Sequence, residues 1–523
     1  MNKIAIVELG TTSIKLVLAY ILPSESFVVF DEVVEPVKLA EDMEKDGIIK
    51  ASKIQEALNA LKMFQILCDS NEVTNVLAVT TKLVKEAKNQ KSFLDEIYNQ
   101  TGFNFKVLTE DEQLKTIYTA VINSMDIPKG LIVEIGSSSI QLVQYNRRTV
   151  LNQVVIPFGA LNLAEKFSES TLSNEEKCES MVSLFKEELA QIEWLKELEQ
   201  EYKIIGVGSN FEVMAKISQK IKKYPLDIAH MYEMNADDIN KVFEMIKPVG
   251  LDKTKKIKGI SDDRADILTS AISIAKGLMD SLQVKAEVSS KLDEEEEEEI
   301  SSERVLFVSR NGLAEGLLFQ KAVPSTLDKP ISDILGFSLA TISDYYNVKP
   351  NNDEHVYNLS MILFKQLKVL HKLSRSYVRV LRAASSMYSV GKRINFYNNT
   401  KNAFHVVLNS NLNGLNHKEL VLASFVVSSQ NLDDLKISEW VKYKDLLSNE
   451  DVLAVQRLAV IVKIASALDR FMKKRVIDVN CDILGDSVIM KTILDGKAVL
   501  EIREAKKASE DFKRAFNKNL EIL

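Results

Sequence analysis

One pattern of hydrophobic and polar positions occurs twice in the first third of this chain. Residues 6–17 read IVELGTTSIKLV, residues 132–143 read IVEIGSSSIQLV, and eight of the twelve positions are identical. Each copy consists of an apolar run, a turn of glycine and hydroxyl residues, and a second apolar run, which is typical of a β-hairpin. The repeat predicts two related lobes that each begin with such a hairpin.

Strand and helix patterns alternate between and after the two hairpins, which predicts an α/β architecture. Ser173 and Glu176 have the spacing of a capping box at the start of a long helix. A third turn of small residues, at 206–210, follows a strand and leads into a helix. The apolar runs predict strands at 73–79, 105–108, 202–207 and 305–308, and helical periodicity predicts helices at 82–91, 110–121, 173–201 and after 311.

The second half of the chain is predominantly helical. From residue 331 to about residue 473 nearly every segment has helical periodicity, with long apolar stripes at 356–384 and 452–471. An unbroken acidic run at 293–299 resists packing because like charges repel, so we expect a flexible surface insertion there. The tail predicts strands at 476–482, 487–492 and 498–502, followed by a closing helix.

Composition and charge indicate which kinds of partner and which cellular compartment to expect. There are 67 Lys and Arg residues against 74 Asp and Glu, so the net charge of −7 does not favour nucleic acid or an anionic membrane as a partner. The three cysteines, Cys68, Cys178 and Cys481, share no CxxC spacing, which indicates neither a disulfide framework nor a zinc site. The first ten residues are too short an apolar run for a signal sequence. We therefore expect a soluble cytoplasmic protein.

The turns of the repeated hairpins have the chemistry of a phosphate site. Glycine exposes backbone N–H groups with little obstruction, and Ser or Thr hydroxyls add further donors to phosphate oxygens. Glu8 and Glu134 occupy equivalent positions just before the two turns, where carboxylates can bind Mg²⁺ or its water shell beside a phosphate. On the residues alone, the alternative of two ordinary hairpins with charged strand ends stays open.

Several segments, taken in order, resemble motifs of the exopolyphosphatase and guanosine-pentaphosphate phosphatase (Ppx/GppA) family. The resemblance covers nearly the whole chain. It implies two ribonuclease-H-like lobes of the actin-like ATPase/sugar-kinase superfamily, in agreement with the internal repeat. The segments are the first turn, TTKLVKEAKN (80–89), LTEDEQLKTIYTAV (108–121), IVEIGSSSIQLV (132–143), FGALNLAEKF (158–167), IGVGSN (205–210), SDDRADIL (261–268) and SRNGLAEGLLF (309–319).

The resemblance also implies the domain organisation. Longer members of the family add a helical module that resembles HD phosphohydrolases and a small terminal domain. We therefore expect an N-terminal lobe at 1–124, a second lobe at 125–325 with an acidic insertion at 289–304, an all-α HD-like domain at 326–474, and a small α+β C-terminal domain at 475–523.

Roles for individual residues follow from the same resemblance. Glu112 matches a glutamate of the family's GxEEAR segment, which implies that it is the general base acting on the attacking water. Glu134 matches the aspartate of the IDIGGGSTE motif, and we expect it to hold Mg²⁺ together with Glu8. The expected phosphate-binding residues are Gly10, Thr11, Thr12, Ser13, Lys85, Gly136, Ser137, Ser138, Ser139, Gly206, Gly208 and Ser209.

The chain departs from the family's motifs at several of these positions. Gln113 replaces the second glutamate of the GxEEAR segment, and Lys85 replaces an arginine, which keeps the charge but loses the bidentate fork. Gln141 replaces the last glutamate of the second-turn motif. Strand alternation places its side chain on the same face as that of Ser139, so we expect Gln141 to line the cleft.

The helical module departs from its relatives in the same way. Residues 383–391 read AASSMYSVG where HD relatives read roughly AAMLHDIG, so Tyr388 and Ser389 replace the His and Asp that bind metal. His405 is the only imidazole of the later segment at 398–405. We expect no second metal site there, and a structural or dimerisation role for this module.

The expected function is that of a Mg²⁺-dependent phosphoanhydride hydrolase, acting as a homodimer, which releases terminal orthophosphate from inorganic polyphosphate, from guanosine pentaphosphate, or from both. The replaced carboxylates leave open a catalytically weak regulatory protein that binds polyphosphate or an alarmone nucleotide. Kinase-like ATP chemistry on the same fold is a third alternative. The sequence does not choose between polyphosphate and nucleotide, because both present the same terminal phosphoanhydride.

Overall fold

The computed structural model describes residues 2–39, 47–80, 87–168, 170–249, 262–282, 304–327, 329–348, 350–434 and 437–523. The chain divides into two compact units, one of residues 1–21 and 25–331 and one of residues 22–24 and 332–523. Lys85, the acidic run at 293–299 and the first half of the helix expected at 82–91 lie outside the described residues.

Two mixed sheets organise the first unit. The first sheet contains β1 (Asn2–Leu9), β2 (Ser13–Ile21), β3 (Phe27–Pro36), β4 (Asn75–Thr80) and β5 (Phe105–Val107), in the order β3-β2-β1-β4-β5. The second contains β6 (Lys129–Ile135), β7 (Ile140–Asn146), β8 (Thr149–Ile156), β9 (Lys203–Val207), β10 (Glu233–Met234) and β11 (Leu306–Ser309), in the order β10-β11-β9-β6-β7-β8.

The sequence repeat is a repeat of structure. Strands β1 and β2 form one antiparallel hairpin and β6 and β7 form the other. The first and last positions of each copy face each other, since Ile6 pairs with Val17 and Ile132 pairs with Val143. In both sheets the first hairpin strand also pairs in parallel with a later strand, β4 in one and β9 in the other. Two related lobes, as predicted, therefore make up the first unit.

The helices of the first unit form layers around these sheets. They are α1 (Ala51–Ser70), α2 (Gln90–Thr101), α3 (Glu110–Ile122), α4 (Ala160–Ser168), α5 (Asn174–Ala190), α6 (Glu193–Lys196), α7 (Ser209–Lys222), α8 (Ala236–Ile246), α9 (Asp262–Leu282) and α10 (Leu313–Ala322), with a 3-10 turn at Pro324–Leu327.

Helices α3 and α10 lie between the two sheets. One apolar cluster joins Ile117 of α3 and Leu317 of α10 to Ile6 of the first sheet and Ile132 of the second. Separate clusters pack α1 and α2 on the first sheet, and α4, α5, α7, α8 and α9 on the second. Helix α3 therefore packs against both hairpins.

One long helix expected in the second lobe is shorter in the structure. The capping box of Ser173 and Glu176 is present, but α5 ends at Ala190 instead of continuing to residue 201. Ile192 leaves helical geometry, with φ −90° and ψ 99°, and packs against the apolar core of the second sheet. Tertiary packing overrides the local helical periodicity at this point.

The second unit is mostly helical, as the periodicity predicts. Its helices are α11 (Ile334–Tyr345), α12 (Pro350–Gln366), α13 (Lys368–His371), α14 (Tyr377–Met387), α15 (Asn399–Asn409), α16 (His417–Ser428), α17 (Ile437–Trp440) and α18 (Asn449–Leu468), with 3-10 turns at Val390–Arg393, Leu432–Asp434 and Val441–Tyr443. The apolar stripe at 356–384 is divided among α12, α13 and α14, because Lys372 adopts a left-handed conformation that ends α13.

The tail differs from its prediction in two elements. Strands β12 (Val476–Leu484) and β13 (Ser487–Leu494) form as expected, but the strand predicted at 498–502 is wrong, since helix α19 (Val499–Lys506) occupies this segment. Ala498, Glu501 and Ala505 are buried at helical spacing, which is why a helix forms here. Helix α20 (Ser509–Phe516) is the expected closing helix, and an unpredicted strand β14 (Asn519–Ile522) pairs in parallel with β13.

None of the described helices is long and apolar enough to cross a membrane. The domain boundaries expected from the sequence stay predictions.

Candidate functional site

The turns of the two hairpins have the same geometry. The backbone N–H of Gly10 donates to the carbonyl oxygen of Ser13 at 3.0 Å, and the N–H of Gly136 donates to that of Ser139 at 2.9 Å. A Cβ atom on Gly10 would lie 2.9 Å from the Ser13 oxygen, and one on Gly136 would lie 2.8 Å from the Ser139 oxygen. Each turn therefore closes too tightly for any residue but glycine.

Both turns line one cleft of about 290 Å³ in the first unit. The ends of β6 and β9 and the start of α10 contribute to the same lining. The cleft brings together most of the residues that the sequence assigns to phosphate and metal binding, namely Glu8, Gly10, Thr11, Thr12, Ser13, Glu134, Gly136, Ser137, Ser138, Ser139, Gly208 and Ser209.

A third turn completes this lining at the start of α7. Gly208 has φ +94°, a conformation that favours glycine, and it directly precedes the first helical residue, Ser209. The side-chain amide of Asn210 donates to the carbonyl oxygen of Ile135 at 2.7 Å and so ties this turn to the second hairpin. The unpaired N–H groups at the start of a helix attract anions, and α7 presents them to the cleft.

Gly206 differs from the other predicted glycines. It lies within β9 and not in the cleft lining. A Cβ atom at this position would come within 2.5 Å of the ring of Phe211. The structure therefore assigns Gly206 to close packing between strand and helix, and its expected contact with phosphate is not supported.

Two glutamates approach the cleft from equivalent positions, Glu8 at the end of β1 and Glu134 at the end of β6. Burial raises the pKa of Glu134 to about 7, and the negative charge of Glu8 acts in the same direction. The side-chain amide of Gln113 donates to Glu134 Oε2 at 3.3 Å, which opposes the shift but does not cancel it. The cleft therefore carries a carboxylate whose charge is poorly compensated.

This pair of carboxylates fits a hydrated divalent cation. Among the described residues there is no group of three or more His, Cys, Asp and Glu side chains that could enclose a metal ion. Mg²⁺ does not require such a cage, because it commonly keeps several waters and takes one or two carboxylates together with substrate phosphate oxygens. A cation between Glu8 and Glu134 would also offset the charge that raises the pKa of Glu134.

Glu112 lies outside the cleft lining, in the first turn of α3. Its carboxylate pairs with Lys106 at 2.6 Å and accepts the backbone N–H of Thr109 at 2.9 Å, which completes a capping box. The hydrogen bond from Lys106, followed by that from Thr109, lowers the pKa of this carboxyl. Glu112 is thus engaged in capping its own helix, and its assignment as the general base stays a prediction that this geometry does not support.

The residue of α3 that faces the cleft is Gln113. Its side-chain amide donates to Glu134, so it would lie next to the water shell of a cation held by that carboxylate. An amide can orient such a water by hydrogen bonds, but it cannot accept its proton. The sequence singled out Gln113 only as a replaced glutamate, and the capping box of α3 fixes which of the two neighbours points inward.

Gln141 does not line the cleft, contrary to the expectation from strand alternation. It pairs in register with Glu134 across the second hairpin, and its side chain is 3% exposed. Its Oε1 atom has no hydrogen-bond partner among the residues that the structure describes. The side chain lies beneath the cleft next to Glu134, where the antiparallel register places it.

Two cationic residues of the cleft, Lys15 and Arg310, were not predicted. Lys15 lies 3.3 Å from Glu32 and 3.9 Å from Glu315. Burial alone lowers the pKa of Lys15, but Glu315, Glu32 and Glu8 together raise it above its ordinary value, so the ammonium stays charged. The sequence repeat could have identified Lys15 as a site residue. It occupies the position equivalent to Gln141, and it pairs with Glu8 as Gln141 pairs with Glu134.

A model described as "Ppx/GppA phosphatase family" matches residues 24–292, and one described as "Ppx/GppA phosphatase, domain III" matches residues 337–500. A bifunctional 3-dehydroquinate synthase/phosphatase of Fusobacterium nucleatum subsp. nucleatum is 24% identical over 289 residues, which are 53% of this chain and 43% of that protein. The chain thus spans less than half the length of this relative.

Two further proteins are similar over longer parts of their own length. A guanosine-5'-triphosphate,3'-diphosphate pyrophosphatase of Aeromonas hydrophila subsp. hydrophila is 20% identical over 442 residues, 83% of this chain and 80% of that protein. The crystal structure of an exopolyphosphatase from Cytophaga hutchinsonii is 19% identical with a TM-score of 0.54, and the match covers 61% of this chain and 98% of that one. This structural likeness confirms the predicted actin-like fold class.

Proposed function

Because this chain belongs to the Ppx/GppA phosphatase family, we propose that it hydrolyses the terminal phosphoanhydride bond of inorganic polyphosphate or guanosine pentaphosphate and releases orthophosphate. One observation carries this proposal: two equivalent glycine turns, each preceded by a glutamate, line the same cleft. The similar proteins named for polyphosphate or a guanosine phosphate support this substrate class. Both substrates present a chain of phosphates to such turns.

The chain's own residues bind and orient the phosphates. The hairpin turns and the start of α7 offer backbone N–H groups and hydroxyls from several directions. Lys15 and Arg310 add positive charge to the same cleft. In phosphoryl transfer most catalysis comes from such positioning and from stabilising the charge on the transferred group.

Glu8 and Glu134 are the residues that would hold Mg²⁺. When bound there, the cation neutralises charge on the phosphate oxygens and holds the terminal phosphoryl group in place. A homodimer and a cytoplasmic location, which the sequence also favours, stay predictions.

A second candidate function is favoured by Gln113. Because the residue that approaches Glu134 from α3 is an amide, the described part of the cleft offers no carboxylate from α3 to accept a proton from the attacking water. A protein with this arrangement could bind the phosphoanhydride tightly and turn it over slowly, and so act as a regulator. The two functions differ in turnover and not in where the ligand binds.

The experiment measures orthophosphate release from long-chain polyphosphate and from guanosine pentaphosphate side by side, with and without Mg²⁺. The hydrolase proposal expects Mg²⁺-dependent release from at least one substrate, and it expects Gln113→Glu to raise the rate by about 10²-fold, the usual contribution of a positioned base. Gln153→Glu is the matched control, because Gln153 lies on β8 outside the cleft lining and contacts Asp111. Binding of both ligands without release, unchanged in Gln113→Glu, would favour the regulatory function.

A further inference from the structure

The phosphate cleft carries more negative charge than the proposed function uses. Five glutamates and two cationic side chains line it among the residues that the structure describes. Glu8 and Glu134 would hold the divalent cation, which leaves three glutamates of the lining without a role. These are Glu32, Glu212 and Glu315. A carboxylate repels a phosphate group that lies next to it, so these three need an explanation in a site for phosphates.

Two of the three glutamates already have partners within the protein. Glu32 lies 3.3 Å from the ammonium group of Lys15. Glu315 accepts the backbone N–H of Gly312 at 2.8 Å and lies 3.9 Å from Lys15. The charges of Glu32 and Glu315 are therefore partly compensated before any ligand binds.

Glu212 differs from both because its carboxylate has no such partner. It lies in the first turn of α7, where it is half-buried and lines the cleft. Its carboxylate makes no hydrogen bond or ion pair with any described residue. Burial raises the pKa of Glu212, and the charges of Lys15 and then Arg310 oppose this shift without cancelling it. A hydrogen-bond donor on a ligand would stabilise this carboxylate.

Glu212 and Glu134 lie in different parts of the cleft. The charge of Glu8 acts on Glu134, whereas the charges of Lys15 and Arg310 act on Glu212. The proposed function places the terminal phosphate at the cation beside Glu134, so Glu212 faces a part of the substrate farther along its chain. In long-chain polyphosphate that part is another phosphate. In a nucleotide the phosphates end at a ribose, whose hydroxyl groups are hydrogen-bond donors.

We propose that Glu212 makes the cleft selective for a nucleoside polyphosphate over long-chain inorganic polyphosphate, by accepting a hydrogen bond from a ribose hydroxyl. This inference rests on the proposed function, because it takes the cleft as the place where the phosphates bind. An acidic side chain binds a ribose hydroxyl in dinucleotide sites for the same chemical reason. The single carboxylate acts in two ways, since it stabilises a ribose and repels a phosphate at the same position.

The test is calorimetric titration of the full chain with GTP, dideoxy-GTP and long-chain polyphosphate, in EDTA so that Mg²⁺-dependent turnover does not consume the ligands. Dideoxy-GTP has the phosphates and the base of GTP but lacks both ribose hydroxyls. We expect the wild type to bind GTP about tenfold more tightly than dideoxy-GTP, the size of one charge-assisted hydrogen bond. Glu212→Ala should bring these two affinities together. It should also tighten polyphosphate binding by about fivefold, because a like charge is removed.

The matched control is Glu187→Ala, which should leave all three affinities unchanged. Glu187 is exposed on α5 and lies outside the cleft lining. If Glu212→Ala fails to fold, Glu212→Gln removes the charge, keeps the shape and should still tighten polyphosphate binding.

The opposite directions of the two effects distinguish this role from a merely structural one. A Glu212 variant that weakens all three ligands together would overturn the proposal. So would equal binding of GTP and dideoxy-GTP by the wild type, or no binding of GTP. Absence of orthophosphate release would refute the hydrolase while leaving these binding differences intact, so failure of the inference and failure of the proposed function are distinguishable.

Discussion

The two hairpins have the same backbone geometry, but the residue opposite the glutamate is charged in the first and neutral in the second. In the first, Glu8 pairs in register with Lys15, and in the second, Glu134 pairs with Gln141. Residues directly opposite in an antiparallel pair lie on the same face and interact. Glu8 and Lys15 therefore form a pair of opposite charges, whereas Glu134 has an amide opposite it and its pKa rises to about 7.

This difference shows which parts of the repeat the structure constrains. At the glycine of each turn, an added Cβ atom would lie less than 3 Å from a backbone carbonyl oxygen. Another residue therefore fits there only if the backbone moves. The position opposite the glutamate, in contrast, carries an ammonium in the first hairpin and an amide in the second. The two lobes thus keep one geometry for phosphate, while the uncompensated carboxylate lies in the second lobe, where a cation stabilises it most.

The largest loss of stability is expected when the turn geometry that both hairpins share is disturbed. Gly10→Ala and Gly136→Ala should each destabilise the protein by about 1–3 kcal/mol, because the added methyl group meets a backbone carbonyl oxygen in both turns. Chemical denaturation measures the free energy of unfolding of each variant. Gly312→Ala is the control, with φ −130° and a nearest atom 3.6 Å from the new Cβ, so its change should stay within about 0.5 kcal/mol. A loss at only one turn would contradict the structural equivalence of the hairpins.

Lys15→Gln makes the first hairpin resemble the second. The variant removes a cation from the cleft, so we expect the affinity for polyphosphate to fall by about tenfold, the usual size of a charge-assisted hydrogen bond. Binding is measured by titration with polyphosphate of fixed length. Lys106→Gln, which breaks the pair with Glu112 outside the cleft, serves as control and should bind normally. Equal losses in both variants would mean that Lys15 acts only through general charge.

The raised pKa of Glu134 in the second hairpin predicts that the stability of the protein depends on pH. Between its ordinary pKa of 4.5 and about 7 this carboxyl is ionised in the unfolded chain but protonated in the folded one. Raising the pH through this window therefore favours unfolding, and above about 7 no further loss occurs. Without divalent cations we expect the melting temperature to fall by about 2–4 °C from pH 5 to pH 7.5 relative to Glu134→Gln. Parallel curves for the two proteins would show that the carboxyl is not perturbed.

The smallest effect concerns Gln141. Its Oε1 atom is buried without a partner among the described residues, so replacing the amide by an apolar group of similar shape removes no hydrogen bond from that atom. We expect Gln141→Met to be neutral or to stabilise the protein by up to about 1 kcal/mol in chemical denaturation. A loss of more than about 2 kcal/mol would show that the amide has a partner essential to the second hairpin.

The sequence predicted the lobes because two copies of one pattern, an apolar strand, a glycine turn and a second apolar strand, form the same hairpin. It also predicted most of the cleft, since residues at the ends of equivalent strands meet in space. The predictions were wrong where tertiary packing determines the secondary structure. The helix at 173–201 ends early because Ile192 packs against the core, and the segment at 498–502 is a helix because its buried positions recur at helical spacing.

The residues of the site were harder to predict than its location. Glu112 and Gln113 are neighbours in sequence, and only the capping box of α3 decides that the first points to solvent and the second to Glu134. Lys15 was not predicted because its role depends on its pairing with Glu8 on the neighbouring strand, which the local sequence does not reveal. Gly206 was assigned to phosphate because packing glycines and phosphate-binding glycines look alike in sequence.

The most direct test of the difference between the hairpins is the Mg²⁺ dependence of orthophosphate release from long-chain polyphosphate, compared in the wild type, Glu8→Gln and Glu134→Gln. Because Glu8 already has Lys15 opposite it and Glu134 has no such cation, we predict that Glu134→Gln raises the Mg²⁺ concentration for half-maximal release by about tenfold or more. Glu8→Gln should raise it by clearly less. Equal effects of the two substitutions, or a Mg²⁺ dependence unchanged in Glu134→Gln, would contradict the larger contribution of Glu134 to holding the metal.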